Sequence, residues 1–306
     1  MNTSRAPFTI APSRYQLPVA VELGAVTLQV ADLERSLEYY QRVVGLRVLS
    51  RGDGHAALGA ESGHKALVHL VEKRGVRPVP PRGLLGLYHF AILLPSRVAL
   101  GQFLAHLGRV GERAGMSDHL VSEALYLTDP DGLGIEVYAD RARESWQMDG
   151  LAIAMATDPL DVRGLVAAGG ASVWSGAPAG TRIGHVHLYV GTLEEAASFY
   201  HEGVGFDRVN VQFHGALFMS AGGYHHHLGT NIWAAKSPVA TGDDARLLEW
   251  TVVLPVQADV EGVAQSVQAV GYKGAFDSSG HAEDFVATDP WGTAVRITAR
   301  LQDQTD

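Results

Sequence analysis

The chain contains an internal repeat with a constant offset of 160 residues. The segment GAVTLQV at 24–30 matches GHVHLYV at 184–190, and the turn TDPDG at 128–132 matches TDPWG at 288–292. Positions between these segments keep the same offset, as with Leu33 and Leu193, Tyr40 and Tyr200, and Gly45 and Gly205. Self-similarity at a fixed period indicates a duplicated structural unit, so the two halves are predicted to share one build.

The repeat also predicts how the chain is organised. A length of 306 residues suits about two domains, at roughly 100–200 residues each. The two halves are predicted at 20–140 and 181–300, after an N-terminal arm at 1–19. The stretch 141–180 is rich in Gly, Ala and Pro, which is typical of a connecting segment.

Each half is predicted to hold two similar units of one strand, one helix and three further strands. Residues 24–30 show the alternation of a β-strand. Asp32 is suited to cap a helix, and apolar side chains then recur at helical spacing until Gly45 ends the pattern. Short apolar runs separated by glycine turns complete the unit. The same order begins again at LYHFAILLP, so the fold class is α+β with four tandem βαβββ units.

Composition excludes several classes of function. Asp and Glu number 33 against 24 Lys and Arg, so the chain is a poor candidate for nucleic-acid binding, which needs a positive surface. The absence of cysteine removes thiolate catalysis and cysteine metal sites, and it fits the cytoplasmic localisation that we expect. No apolar run approaches the ~20 residues of a membrane span, and the first residues lack the apolar segment of a signal peptide. Histidine, at 14, remains for chemistry or metal binding.

Four such units, with a DPxG turn before the last strand of each half, resemble the vicinal oxygen chelate superfamily, which includes glyoxalase I, fosfomycin-resistance proteins and extradiol dioxygenases. The resemblance covers nearly the whole chain. It is most similar to the catechol 2,3-dioxygenase-like branch in the stretches GLYHFAILLPSR, SDHLVSEALYLTDPDGLGIEVYADR, IGHVHLYV and SAGGYHHHLGTN. The resemblance implies two open, β-barrel-like modules. Because this fold hosts many reactions, the function has to be argued from the site residues.

The resemblance also implies three kinds of metal-ligand position. The first lies in the opening strand of an odd unit, and the second lies in the opening strand of an even unit. The third is a glutamate six residues after the proline of the DPxG turn. In this chain the three pairs of equivalent positions hold Ala25 and His185, His89 and Glu249, and Glu136 and Arg296.

The distribution of these residues favours crosswise pairing of the units. If each half built its own site, both sites would be defective, because Ala25 and Arg296 stand at ligand positions. If the second unit pairs with the third, one site gains two histidines and a carboxylate: His89, Glu136 and His185. The other site then holds Ala25 with Glu249 and Arg296, which can form an ion pair. Each candidate ligand alone is more often a structural residue, but their joint occurrence at equivalent positions favours the metal site.

Two imidazoles and one carboxylate on one face of an octahedral metal leave about three open positions, as in non-haem Fe(II) oxygenases. The resemblance therefore implies an extradiol dioxygenase that uses Fe(II), or Mn(II) in its place, to insert O2 beside the hydroxyl-bearing carbons of a small catechol-like aromatic. A glyoxalase-type isomerase or lyase is an alternative, but it normally needs a fourth protein ligand. A metal-free small-molecule binding protein of the same fold is another. The oligomeric state is open, a homo-oligomer included.

A run of three histidines supplies the candidate for proton transfer. The segment Tyr224–His227 is predicted to lie in the closing strand of the third unit, where strand alternation puts His225 and His227 on one face and His226 on the other. The resemblance places a proton-shuttling histidine of this strand beside the substrate, and alignment of the histidine pair assigns that role to His226. If the facing differs by one residue, His225 or His227 takes the role.

Two further candidates precede the metal glutamate. The resemblance implies a tyrosine ten residues before it, which is Tyr126, and a histidine in the preceding loop, for which His119 is the candidate. His119 lies two residues closer to the tyrosine than in the best-known members. Asn231 and Trp233 are weaker candidates for lining the same cavity.

Overall fold

The structure is a computed structural model, and it describes residues 9–149, 152–210, 213–277 and 283–300. The first unit comprises β1 (Glu22–Val30), α1 (Leu33–Tyr39) with a π-helical turn (Tyr40–Val44), β2 (Arg47–Gly52), β3 (His55–Gly59) and β4 (Ala66–Glu72). The second comprises β5 (Gly86–Leu93), α2 (Arg97–Val110), β6 (Gly115–Asp118), β7 (Ser122–Thr128) and β8 (Gly134–Asp140). Next come a 3-10 turn (Arg143–Ser145), β9 (Met148–Asp149), β10 (Ala152–Ile153) and α3 (Val162–Gly169).

The second half repeats this order. The third unit comprises β11 (Arg182–Tyr189), α4 (Leu193–Ala196) with a π-helical segment (Ala197–Val204), β12 (Asp207–Asn210), β13 (Ala216–Ser220) and β14 (Leu228–Asn231). The fourth comprises β15 (Arg246–Leu254), α5 (Gln257–Ala269), β16 (Gly274–Asp277), β17 (Asp284–Thr288) and β18 (Ala294–Ala299). The predicted fold class, four βαβββ units, is confirmed.

The units pair crosswise into two eight-stranded sheets. One sheet has the order β12-β13-β14-β11-β5-β8-β7-β6 and joins the third unit to the second. The other has the order β16-β17-β18-β15-β1-β4-β3-β2 and joins the fourth unit to the first. Each sheet is continuous because the opening strands of its two units pair antiparallel at the centre, β5 with β11 and β1 with β15. Every module therefore contains one unit from each half of the sequence.

Equivalent residues begin and end the first helix of each half. The side chain of Asp32 accepts a hydrogen bond from the backbone N–H of Arg35, and Thr192 does the same for Glu195, so both helices are capped. Both helical segments end at a glycine in the left-handed region, Gly45 with φ 81° in the first half.

The DPxG turns tie the two modules together. Asp129 accepts the backbone N–H groups of Asp131 and Leu133 within its own turn, and the hydroxyl of Tyr40 donates to its other oxygen at 3.2 Å. Tyr40 belongs to the first unit and Asp129 to the second, so this bond joins different sheets. The hydroxyl of Tyr200 donates to Asp289 at 2.8 Å in the equivalent place. The repeat thus provides two buried links with the same chemistry.

The stretch between the halves has structure of its own. α3 packs closely on α2, since a Cβ added at Gly101 would lie 2.2 Å from the carbonyl oxygen of Leu165. Met155, Ala156 and Thr157 precede this helix and form part of a cavity wall. None of the helices in the described ranges has both the length and the apolar character for crossing a membrane.

Candidate metal centre

Three neighbouring strands bring together one histidine, one glutamate and a second histidine. His89 lies on β5, Glu136 on β8 and His185 on β11, and the order β11-β5-β8 makes these strands adjacent. Ala91 of β5 is the register partner of both Glu136 and His185. All three side chains are buried, with 4%, 2% and 1% of their residue surfaces exposed. Crosswise pairing is therefore what assembles this cluster.

The distances within the cluster suit one metal ion. The Nε2 atoms of His89 and His185 lie 3.3 Å apart, and each lies 3.0 Å from Oε2 of Glu136. Two ligand atoms at right angles on an ion, each about 2.1 Å from it, lie about 3.0 Å apart. These residues therefore fit a cation held on one triangular face. The same three form the candidate metal-binding group found among the described residues.

The charges of the cluster also suit a cation. Burial raises the pKa of Glu136, but the imidazoles of His185 and His89 outweigh it, and the pKa lies well below its ordinary value. Burial lowers the pKa of His89, although Glu136 opposes this shift. A carboxylate and an uncharged imidazole are the forms that bind metals, because their lone pairs are free.

A cavity of about 330 Å³ opens beside His89 and Glu136. Its wall comes from strands β5 to β8, β11 and β13, from the loops before β7 and β13, from the loops on both sides of β14, and from the segment before α3. Apolar and aromatic side chains make most of the lining: Tyr88, Met116, Val121, Met155, Phe213, Phe218 and Trp233. Besides His89 and Glu136, the titratable residues that line it are Tyr88, His119, Tyr126, His187 and His226. The cavity thus suits a small, flat, largely apolar molecule with few polar groups.

His119 and Tyr126 form a hydrogen-bonded pair in the cavity wall. Nδ1 of His119 lies 2.6 Å from the carbonyl oxygen of Ala156, and Nε2 lies 2.6 Å from the hydroxyl of Tyr126. A carbonyl can only accept, so Nδ1 of His119 is the donor to Ala156, and Nε2 is left to pair with the hydroxyl of Tyr126. Tyr126 also forms a hydrogen bond with Glu136. Burial and the charge of Glu136 raise the pKa of Tyr126 well above its ordinary value.

Comparison with known proteins agrees with this geometry. The family described as the Glyoxalase/Bleomycin resistance protein/Dioxygenase superfamily matches residues 22–137 and 182–297. The chain is 46% identical over 253 residues to a catechol-2,3-dioxygenase of Bacillus subtilis (strain 168), covering 82% of this chain and 88% of the relative.

The chain belongs to the glyoxalase/bleomycin resistance/dioxygenase superfamily. Its predicted enzyme class, an oxidoreductase, is confirmed by this relative. Solved structures of the superfamily share the fold. A candidate dioxygenase of Bacillus subtilis superimposes with a TM-score of 0.64 at 15% identity, covering 93% of this chain and 86% of that one. Glyoxalase I of Zea mays gives a TM-score of 0.54 at 18% identity, covering 91% and 92%.

In this member of the superfamily, the histidine run departs from its predicted secondary structure. Tyr224–His227 is not in a strand but in the loop before β14, so strand alternation does not decide its facing. His226 lines the cavity, and its ring centroid lies 4.1 Å from that of His185. His225 turns to Asp140, at 2.9 Å, and Nδ1 of His227 lies 3.1 Å from the hydroxyl of Ser220. Burial and then the imidazole of His185 lower the pKa of His226 well below its ordinary value.

His187 is a cavity residue that sequence reasoning missed. It lies two residues after His185 on β11, so strand alternation turns it to the same face, and this was the available signal. The backbone N–H of Trp233 donates to Oδ1 of Asn231, so Nδ2 of Asn231 donates to Nε2 of His187, at 3.0 Å. Trp233 lines the cavity directly, whereas Asn231 acts through His187.

The equivalent place in the other module holds an ion-pair cluster. The guanidinium of Arg296 binds both carboxylate oxygens of Glu249, at 2.7 and 3.1 Å. It also donates to Asp277 at 2.9 Å and to Asp284 at 3.0 Å. These carboxylates, Glu249 first, raise the pKa of Arg296 above its ordinary value. With Ala25 in place of a histidine, the second site has no set of metal ligands among the residues described there.

Proposed function

We propose that this chain is an extradiol ring-cleaving dioxygenase that depends on non-haem Fe(II), with Mn(II) as the alternative ion. The single observation that supports it best is the buried group of His89, Glu136 and His185 at the end of an aromatic-lined cavity. When bound, Fe(II) would hold a substrate through two oxygens and activate O2, since three protein ligands leave about three open positions. The reaction would insert both oxygen atoms of O2 beside the hydroxyl-bearing carbons of a catechol-like ring.

The lining of the cavity supports a substrate with an uncharged ring substituent. Among the described residues that line it there is no Lys or Arg, and the one carboxylate belongs to the metal group. A substrate carboxylate would therefore lose its hydration with no cationic partner in return. A catechol whose ring carries only hydrogen or a small alkyl group has no charged group to dehydrate, and it gains contacts with Phe218 and Trp233.

The other polar residues have separate roles in this proposal. The hydroxyl of Tyr126 pairs with His119, and its oxygen has a lone pair that can accept a hydrogen bond from a substrate hydroxyl. His226 is the proton carrier: an unprotonated ring nitrogen takes the second substrate proton and later returns it to an oxygen of the ring-opened product. Burial and then the imidazole of His185 hold the pKa of His226 well below its ordinary value, which favours the uncharged ring with one free lone pair.

Two other functions fit the fold less well. A glyoxalase-type isomerase or lyase normally has a fourth protein ligand, and the described residues offer a group of three. A metal-free binding protein of this fold would have no use for three buried groups whose lone pairs converge. The complete ligand set and the relative named as a catechol-2,3-dioxygenase both favour the ring-cleaving reaction.

The test is metal analysis of protein purified without oxygen, followed by oxygen uptake with catechol. We expect about one iron per chain, and a ring-opened product that carries two labelled atoms when the gas is ¹⁸O₂. Uptake should persist with 4-methylcatechol and fall with 3,4-dihydroxybenzoate, whose carboxylate has no partner in the cavity. A metal-loaded protein that consumes no oxygen with any catechol would contradict the proposal.

A further inference from the structure

The side chain of His226 is one end of a line of hydrogen bonds that begins outside the cavity, at Asp140. Oδ1 of Asp140 lies 2.9 Å from Nε2 of His225. Nδ1 of His225 lies 2.8 Å from Nδ1 of His226. His225 is fully buried, with 0% of its residue surface exposed, and it is not among the residues that line the cavity.

The chemistry of each atom in this line decides where the protons are. A carboxylate can only accept hydrogen bonds, so Nε2 of His225 donates to Asp140. With the ring proton of His225 on Nε2, its Nδ1 accepts, so Nδ1 of His226 is the donor between them. The proton of the His226 ring is therefore on Nδ1, and its Nε2 carries a free lone pair.

Two tyrosines hold the carboxylate at the start of the line. The hydroxyl of Tyr224 donates to Oδ2 of Asp140 at 2.9 Å. The hydroxyls of Tyr224 and Tyr138 lie 2.8 Å apart, and since the proton of Tyr224 points to Asp140, Tyr138 is the donor between them. Asp140 thus receives hydrogen bonds on both oxygens, which fixes the carboxylate toward His225.

We propose that Asp140 and His225 are positioning residues that hold His226 in the tautomer with an unprotonated Nε2 available to the cavity. The assignment rests on the proposed function, in which His226 carries a proton. An imidazole without this bond can place its proton on either nitrogen, and only one of the two tautomers can accept a proton from the substrate. Asp140 and His225 therefore act on catalysis through His226, and neither of them touches substrate or metal.

The third histidine of the run provides a matched control. Nδ1 of His227 faces the hydroxyl of Ser220 and the backbone N–H of Ala221, at 3.1 and 3.3 Å, so it stands outside this line. The substitution Ser220→Ala, at the end of β13, removes a buried hydrogen bond to the neighbouring histidine of the run. We expect it to leave kcat within about twofold of the parent value.

The kinetic test is a double-mutant cycle in the iron-loaded protein. His225→Ala should lower kcat for catechol by about 10²-fold with KM and iron content unchanged, because a correctly oriented base is lost. His225→Asn, whose Oδ1 can replace Nδ1 as acceptor, should recover part of that loss. In a His226→Ala background, His225→Ala should have no further effect on kcat. An equal loss in both backgrounds would mean a structural role and would overturn the assignment.

A second measurement does not depend on turnover. Ring-nitrogen spectra of ¹⁵N-labelled protein loaded with diamagnetic zinc should show His226 protonated on Nδ1, the signal being assigned by its loss in His226→Ala. In Asp140→Asn the amide oxygen remains with Tyr224, so the NH2 group faces His225 and the tautomers of both rings should reverse. A parent His226 protonated on Nε2 overturns the assignment. A parent with the expected tautomer but no ring cleavage supports the assignment and rejects the proposed function.

Discussion

The centres of the two sheets have the same backbone and opposite chemistry. In one, the opening strands β5 and β11 carry His89 and His185, and Glu136 completes a set of lone pairs that require a cation. In the other, β15 carries Glu249, and Arg296 stands where the last glutamate would be. In this second centre the positive charge belongs to the side chain of Arg296, so the carboxylates around it are already paired. This sheet centre gathers carboxylates in both modules, and the source of positive charge differs: a guanidinium in one, and the metal ion that we propose in the other.

The side chains at the two centres also differ in how much of their surface is exposed. The side chains of His89, Glu136 and His185 are 2–5% exposed, whereas those of Arg296 and Glu249 are 26% and 22% exposed. The ion-pair cluster is therefore partly hydrated, and breaking it should cost less than breaking the buried group.

The largest effect is expected from His185→Ala. Removing one of three ligands should abolish iron binding and all ring cleavage, while the fold stays intact because the core does not depend on one imidazole. The measurement is iron content beside a thermal melting curve. The control in the other module is Glu249→Gln, at the position equivalent to His89, and it should leave iron content at the parent level. Full iron occupancy in His185→Ala would remove His185 from the metal site.

The next effect is expected from His226→Ala, which removes a proton carrier and no ligand. We expect kcat for catechol to fall by about 10²–10⁴-fold, with iron content unchanged. The readout is steady-state turnover at saturating oxygen, beside metal analysis. Undiminished kcat would place the proton transfer on another residue, with His119 the next candidate. Loss of iron would instead make His226 a ligand.

Arg296→Gln tests the other centre. Three carboxylates would lose their common partner, so we expect the free energy of unfolding to fall by about 2 kcal/mol, with iron content and KM unchanged. Urea denaturation measures this loss. The control is Arg300→Gln, which breaks the exposed pair with Glu22 and should change stability by less than about 0.5 kcal/mol. A gain of a second iron in Arg296→Gln would show that the guanidinium had displaced a working metal site.

The smallest effect concerns the links between the modules. Burial raises the pKa of Asp129 to about 7 and that of Asp289 to about 6. The folded state thus holds these protons more tightly than the unfolded state, whose carboxylates titrate near pH 4. Their contribution to stability is complete below about pH 4 and is lost as the pH rises through 6 to 7. Asp129→Asn should therefore flatten the fall in stability between pH 6 and 8 by about 1 kcal/mol, measured by urea denaturation at each pH.

Asp289→Asn provides the comparison within this experiment. The fall in stability that Asp289→Asn removes should end at a lower pH than the fall that Asp129→Asn removes, since the pKa of Asp289 is the lower one. Identical pH profiles for the two variants would contradict the difference between the two links.

The repeat made the fold and the grouping of His89, Glu136 and His185 predictable, because equivalent positions at a fixed offset report on buried strands. Ala25 and Arg296 stand at ligand positions in different halves of the chain, and this was sufficient to predict crosswise pairing. The loop conformation of Tyr224–His227 was not predictable from alternation. Gly222 and Gly223, with φ 63° and 66°, turn the backbone just before it, and contacts with distant Asp140 then set the rings of Tyr224 and His225. Those contacts are 84 or more residues apart in sequence, so no local pattern contains them.

The part of the cavity wall that precedes α3 was missed for the same reason. Met155 and Thr157 lie in a stretch whose Gly, Ala and Pro content indicates a connector, and nothing local shows that it folds back over the second unit. His187 could have been predicted from alternation after His185, but its hydrogen bond to Asn231 depends on the parallel pairing of β11 with β14.

The crosswise pairing of units sets an order of events during synthesis. His89 and Glu136 leave the ribosome long before His185, and β5 has no partner on one side until β11 emerges. The nascent first half therefore presents an open sheet edge and an incomplete ligand set, and both are resolved in one step when the third unit docks. Iron loading is accordingly expected to begin only after that step, and to report on it in arrested nascent chains.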